Sequence, residues 1–128
     1  MSVLLNRALG AATAAFGVAI TTRPQWLARP CGLTDEAGRV PPPTALLIRS
    51  IGARDVAICT AMLLAGDPRA LRLTTACRVA ADASDALIFG TLLDDRGRRL
   101  MAACSAGAWA ALGAATLRGT ARTHRRSR

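Results

Sequence analysis

Beyond Arg69 and Arg72 at the turn between them, two otherwise apolar segments, Thr44–Ala65 and Arg69–Leu93, contain six charged side chains, and this feature restricts the possible folds most. They are Arg49, Arg54, Asp55, Arg78, Asp82 and Asp85. A charged side chain at the centre of a bilayer costs about 2.5–3.5 kcal/mol, so six facing lipid would cost on the order of 15 kcal/mol. Arg49 is near a segment end, where it can reach the membrane surface. We therefore predict that the other five face inward and pair.

The two segments belong to a set of four apolar segments that are predicted to be helices. These are Val3–Thr22, Thr44–Ala65, Arg69–Leu93 and Arg98–Leu117. Gly66-Asp67-Pro68 and Asp94-Asp95-Arg96-Gly97 are typical of tight turns, because Gly ends helices, Asp caps them and Pro suits their first position. The prediction is an all-α protein, a single domain at 1–117 formed by an up-down-up-down bundle of four transmembrane helices. It includes a long loop at 23–43 and is followed by a basic, disordered tail at 118–128.

The first and fourth segments favour a membrane protein over a soluble four-helix bundle. A soluble helix carries a wide polar face, and these two segments lack one. Leu100–Leu117 contains 18 residues without a charge, about the minimum that spans a bilayer. A signal peptide is the alternative interpretation of the first segment, but the apolar segments that follow favour a retained helix.

The net charge of +9 raises the possibility of a nucleic-acid partner, which the charge distribution argues against. The arginines flank apolar segments and cluster in the tail, as they do at membrane edges. Slightly more arginines lie at the N-terminus, second turn and tail than in the long loop and third turn. This excess predicts a multi-pass protein of the cytoplasmic membrane with both termini in the cytoplasm. Cysteine spacing suggests no metal site, and no cofactor is predicted. Alanine stripes in the fourth segment permit a homodimer.

The charged residues also form a candidate site. Arg78 and Asp82 are four residues apart and Asp82 and Asp85 three apart, so all three share one helix face. Two carboxyl groups this close suit acid–base chemistry, because one stays protonated while the other, paired with arginine, accepts a proton. The candidate catalytic residues are Asp55, Asp82 and Asp85. The candidate residues that bind or orient a substrate are Arg49, Arg54, Arg78 and Trp109. The alternatives are a structural salt-bridge network and, for Trp109, a core residue.

One string within the second segment resembles a known type of protein. Arg49-Ser50-Ile51-Gly52-Ala53-Arg54-Asp55, followed by an apolar run and an Arg-bearing third helix with paired acids, is similar to a family of little-studied four-helix membrane proteins of actinobacteria and fungi. The resemblance covers Thr44–Leu117. Some proteins of this type accompany polyketide pathways and are thought to close spiroacetal (spiroketal) rings. The resemblance implies that Asp55, Asp82 and Asp85 perform acid–base chemistry and that Arg54 and Arg78 orient them.

Three functions are consistent with these features. The leading hypothesis is a cofactor-free, membrane-embedded cyclase or isomerase that acts on an apolar, hydroxylated small molecule entering from the lipid bilayer. The second is a non-catalytic accessory protein that binds another membrane protein. The third is a proton or small-solute carrier.

Overall fold

The computed structural model describes the backbone of residues 3–126 and the side chains of residues 4–117. Within that range the chain is all-α, as predicted, with five helices and no strand. The helices are α1 (Val3–Thr22), α2 (Gln25–Cys31), α3 (Pro42–Leu64), α4 (Pro68–Leu92) and α5 (Arg96–Arg126). Helices α1, α3 and α4 match the first three predicted segments to within two residues, and α5 contains the fourth but extends beyond it. The short helix α2 lies inside the segment that the sequence analysis treated as a loop.

The turn residues end and begin the helices in the way their chemistry predicts. The Asp67 side chain caps α4 by accepting hydrogen bonds from the backbone N–H groups of Arg69 and Ala70, both at 2.9 Å. Pro68 occupies the first turn of α4, where its missing N–H costs nothing. Asp95 accepts a 2.9 Å bond from the backbone N–H of Arg98 at the start of α5.

Helix α5 continues through Arg126, beyond the point where the basic tail was predicted to begin. The side chains after Leu117 and the last two residues lie outside the described part of the chain. The disorder expected for 118–128 therefore stays a prediction.

Neighbouring helices pack in antiparallel order. Gly10 of α1 lies against Met62 of α3, and Gly17 lies against Gly52. Gly90 of α4 lies beside Ala103 of α5. Helix α3 packs along α1, and α5 packs along α4, more extensively than α3 packs against α4. The bundle therefore consists of two helix pairs, α1–α3 and α4–α5, that meet along a thinner seam.

Three helices bury a stripe in which the spacing alternates between four and three residues. In α1 the stripe is Asn6, Gly10, Thr13, Gly17 and Ile20. In α3 it is Ile48, Gly52, Asp55, Cys59 and Met62. In α4 it is Leu71, Thr75, Arg78 and Asp82. A period of 3.5 residues is typical of helices that pack nearly parallel to one another in bundles.

The closest approach is between α1 and α3, where Gly17 faces Gly52. A Cβ atom at Gly52 would lie only 2.6 Å from the backbone oxygen of Gly17, a distance that side-chain carbons do not tolerate. This contact gives a packing reason for the glycine in the Arg49–Asp55 string.

The distribution of residues is the reverse of that in a water-soluble bundle. Buried residues include Asp55, Arg78 and Asp82, whereas many large apolar side chains on the helices are exposed. Charged residues are almost never fully buried in soluble proteins unless they are paired, and large exposed apolar surfaces indicate contact with a partner or a membrane. The buried faces of α3 and α4 thus hold three charged residues, while many leucines of the bundle are exposed.

Two helices in the described chain are long and apolar enough to span a membrane. They are Leu4–Thr22 and Arg96–Leu117, with mean hydropathies of 1.3 and 1.5. Only 6% of the second of these segments is buried, so it is not the core helix of a soluble domain. Helices α3 and α4 carry the charged cluster instead.

Candidate functional site

Arg78 and Asp82 form a buried ion pair one turn apart on α4. Arg78 Nε donates to Asp82 Oδ2 at 2.8 Å, and Arg78 Nη2 donates to Asp82 Oδ1 at 2.6 Å. Bidentate pairs of this kind are among the strongest hydrogen-bonded contacts in proteins. The prediction that these two residues pair on one helix face is confirmed.

Arg54 joins α3 to α4. Its Nη1 and Nη2 atoms donate to the two carboxylate oxygens of Asp85 at 3.0 and 2.6 Å. Its Nε and Nη2 atoms also donate to Asp55 Oδ1, at 3.1 and 2.9 Å. One guanidinium group therefore holds two carboxyl groups from different helices close together.

Asp55 lies between the two ion pairs. While its Oδ1 accepts from Arg54, its Oδ2 lies 3.8 Å from Arg78 Nη1, too far for a hydrogen bond. The same Arg78 nitrogen donates to the Cys59 sulfur at 3.5 Å. Asp55 is buried, with 5% of its surface exposed, and its Oδ2 is the one carboxylate oxygen of the three acids that accepts no hydrogen bond.

The five clustered residues do not balance in charge. Three carboxyl groups, Asp55, Asp82 and Asp85, share two guanidinium groups, Arg54 and Arg78. The cluster therefore has one carboxyl group more than it has guanidinium groups. No group of three or more His, Cys, Asp or Glu side chains within the described residues is arranged to hold a metal ion.

Two of the predicted site residues need separate comment. The structure does not place Arg49 in the cluster: its side chain is exposed on α3, because a separation of six residues turns it about 120° away from Asp55 around the helix axis. Trp109 of α5 lies at the cluster, lining a cavity together with Asp55, Arg78, Asp82 and Asp85. Its 37% exposure differs from that of an ordinary core tryptophan.

This cavity, called the large cavity below, has a volume of about 430 Å³ and adjoins the charged cluster. Pockets of this size are typical of small-molecule sites. Apart from the cluster, the walls are mostly apolar and come from all five helices. They include Phe16, Ile20, Trp26, Leu27, Ile51, Phe89 and Met101. The cavity therefore offers an apolar space with a few charged groups on one side.

Helix α2, which lies in the segment predicted to be a loop, covers one part of this cavity. Its residues Trp26, Leu27, Pro30 and Cys31 line the space. The guanidinium group of Arg98 packs on Gly32, whose positive φ of 68° ends α2. Burial raises the pKa of the Cys31 thiol, an effect that Arg98 partly offsets, so this thiol remains protonated at neutral pH.

Comparison with known proteins adds no relative to this description. No family model, no curated protein and no solved structure matches the chain. The resemblance drawn from the Arg49–Asp55 string stays a prediction.

Proposed function

We propose that the protein spans the cell membrane four times, with α1, α3, α4 and α5 as the spans and both termini in the cytoplasm. Helices α3 and α4 contain 23 and 25 residues. At 1.5 Å per residue they are roughly 35 Å long, enough to cross a hydrocarbon core of about 30 Å. Their exposed side chains include Leu46, Leu47, Leu64, Leu73, Leu87, Ile88 and Leu92. Lipid is the environment in which these leucines and the buried charges are both stable.

Thiol labelling tests this arrangement. Cys77 on α4 and Cys104 on α5 are exposed on the helix surfaces. In sealed liposomes we expect both to resist a charged, membrane-impermeant maleimide, while a Glu36→Cys variant, at an exposed turn after α2, reacts. Rapid reaction of Cys77 with the impermeant reagent in liposomes would exclude α4 as a span.

We further propose that the large cavity is the active site of a cofactor-free cyclase or isomerase acting on an apolar, hydroxylated small molecule. The observation that carries this proposal is the unequal cluster: three carboxyl groups with two guanidinium groups beside a mostly apolar cavity of about 430 Å³. Like charges this close do not all ionise in a dry site, so the cluster accommodates one proton. A site that holds one available proton next to ionised carboxylates suits acid–base catalysis.

The geometry favours Asp55 as the proton donor. Each of the three acids accepts two hydrogen bonds from an arginine, but in Asp82 and Asp85 both carboxylate oxygens are bonded, which stabilises their ionised forms, whereas Asp55 accepts both bonds at Oδ1. Asp55 Oδ2 has no hydrogen bond in the structure, and Asp55 is one of the residues that line the cavity. We therefore assign the proton to Asp55 and the role of base to Asp85, which shares Arg54 with it.

A ring closure with loss of water illustrates the chemistry. Asp55 gives its proton to the hydroxyl group on a hemiacetal carbon. The C–O bond then breaks and water departs, so that the carbon becomes oxocarbenium-like. A second hydroxyl oxygen of the substrate bonds to that carbon, and its proton passes to Asp85. Return of the proton from Asp85 to Asp55 restores the site. In its most specific form, implied by the resemblance described above, this is spiroacetal closure in polyketide biosynthesis.

Trp109 and the apolar walls complete the proposed mechanism. The face of an indole ring attracts a cation within about 6 Å, so Trp109 is placed to stabilise the positive carbon. The surrounding walls, such as Phe16 and Phe89, exclude bulk water and hold a flexible chain in a folded pose.

The test is an assay of purified protein in lipid nanodiscs with hydroxy-ketone substrates that can close to cyclic acetals. We expect Asp55→Asn and Asp85→Asn to lower the turnover rate about 10²–10⁴-fold, the usual contribution of a general acid or base. Arg49→Gln is the matched control, because Arg49 lies outside the cluster, and its rate should be unchanged. Unchanged turnover in both aspartate variants would remove the cluster from the chemistry.

A second candidate function, a proton or small-solute carrier, is favoured by one observation. The Arg78–Asp82 pair lies between two cavities, because both residues also line a smaller space on the other side of the cluster. A carrier predicts pH-driven flux in sealed vesicles without chemical conversion of a substrate, which separates it from the enzyme.

A further inference from the structure

Asn6 on α1 has a buried oxygen with no hydrogen-bond partner. The residue is 4% exposed, and its Oδ1 is the one such side-chain atom among residues 4–117. A buried acceptor without a partner costs about 1–3 kcal/mol, and native proteins seldom leave one unmet. Asn6 therefore indicates a bound partner.

The oxygen belongs to a residue that lines a second, smaller cavity. Its volume is about 20 Å³, which is enough for one water molecule and too little for a substrate. The residues around it that carry polar groups are Asn6, Thr13, Thr75, Arg78, Asp82 and Trp109. The wall is otherwise apolar, and these side chains are the ones that can serve as partners for a single buried water molecule.

The two cavities lie on opposite sides of the Arg78–Asp82 pair along the bundle. The large cavity is lined by Asp85 and Phe89 of α4, which follow the pair in sequence. The small cavity is lined by Thr75, which precedes it, and by Cys59 and Met62 in the second half of α3. Asp82 can therefore be reached from both sides.

Arg78 has donors to spare for a ligand in the small cavity. A guanidinium group has five N–H bonds. Three of them are used in hydrogen bonds to Asp82 and to the Cys59 sulfur. Two donors remain, and the Asn6 oxygen supplies an acceptor in the wall of the same cavity.

We propose that this cavity binds a single structural water molecule that accepts a hydrogen bond from Arg78 and donates one to Asn6 Oδ1. Asn6 is then a positioning residue: through the water it fixes the Arg78 guanidinium group, and with it Asp82, from the side away from the large cavity. The water site does not depend on the proposed enzymatic activity.

The experiment uses the full chain in nanodiscs and nuclear magnetic resonance of ¹⁵N-arginine. We expect a cross-peak between a long-lived water and the Arg78 guanidinium protons in the parent protein. It should disappear in Asn6→Leu and persist in Thr91→Val, a control on the exposed surface of α4, the helix that carries Arg78. Absence of the cross-peak in the parent protein would overturn the proposal.

The thermal stability of Asn6→Leu provides a second and opposite-signed readout. If water is bound, leucine displaces it and leaves Arg78 N–H groups unpaired, so the melting temperature falls. If the cavity is dry, leucine fills the space and removes an unpaired oxygen, so the melting temperature rises. A rise would contradict the proposal whether or not any catalytic activity is found. Should the variant fail to fold, the parent cross-peak alone decides.

Discussion

The two ion pairs of the cluster have the same chemistry but different origins. Arg78 and Asp82 lie on one helix, and their side chains are 11% and 7% exposed. Arg54 and Asp85 lie on different helices, 31 residues apart, and the Arg54 side chain is 33% exposed. The first pair forms as soon as α4 forms, whereas the second requires α3 to dock on α4. The Arg78–Asp82 pair thus depends on one helix alone, whereas the Arg54–Asp85 pair links two helices and helps to hold them together.

The largest effect should come from removing the cation of the more buried pair. We expect Arg78→Met to lower the free energy of unfolding by about 3–5 kcal/mol, because it leaves Asp82 buried without a partner. The control is the double variant Arg78→Met/Asp82→Leu, which removes both charges and should recover most of the loss. Unfolding in detergent micelles with increasing denaturant measures both. Equal losses in the single and double variants would show that packing, not charge, determines the effect.

A smaller effect is expected from the pair between helices. Arg54→Met should cost about 1–2 kcal/mol, because the exposed third of the Arg54 side chain weakens its pairing through solvent screening. A double-mutant cycle with Asp85→Leu isolates the pair energy. A loss for Arg54→Met larger than that for Arg78→Met would reverse the comparison.

The smallest effect is expected at Asp55, between the pairs. If Asp55 holds the proton, Asp55→Asn changes neither the charge nor the shape of the cluster, and stability should change by about 0.5 kcal/mol or less. Asp82→Asn, the matched change at an ionised acid, should cost about 2–3 kcal/mol, since it leaves the Arg78 charge without its partner. Similar losses for the two variants would remove the proton from Asp55.

Local patterns in the sequence predicted local structure well. Helix α1 has the predicted bounds, the Asp67 cap is present, and Asp55 shares the buried face of α3 with Cys59 and Met62. These features depend on residues within one or two turns of each other, where helix geometry fixes the outcome. Two helices long and apolar enough to span a membrane were also identified from composition alone.

Features that depend on how helices rotate against each other were not predictable in this way. The sequence placed Arg49 among the site residues, yet the rotation of α3 turns it outward. It did not identify the Arg54–Asp85 pairing, the cavity walls on α2, or Asn6 as a buried polar residue. Asn6 was missed because a lone polar residue near the start of an apolar segment carries no local signal of burial.

The unequal packing between helix pairs has a consequence for how a molecule could enter. Helices α1 and α3 approach each other closely at Gly17 and Gly52, so we expect them to move as one rigid unit. Helices α4 and α5 form the second rigid unit, and the short connection at Gly66–Asp67 is the hinge between the two units. Regions with fewer packing contacts open at lower free energy than the rest of a fold. In the proposed bilayer, a substrate that enters laterally from the lipid would separate the two helix pairs without unfolding any helix.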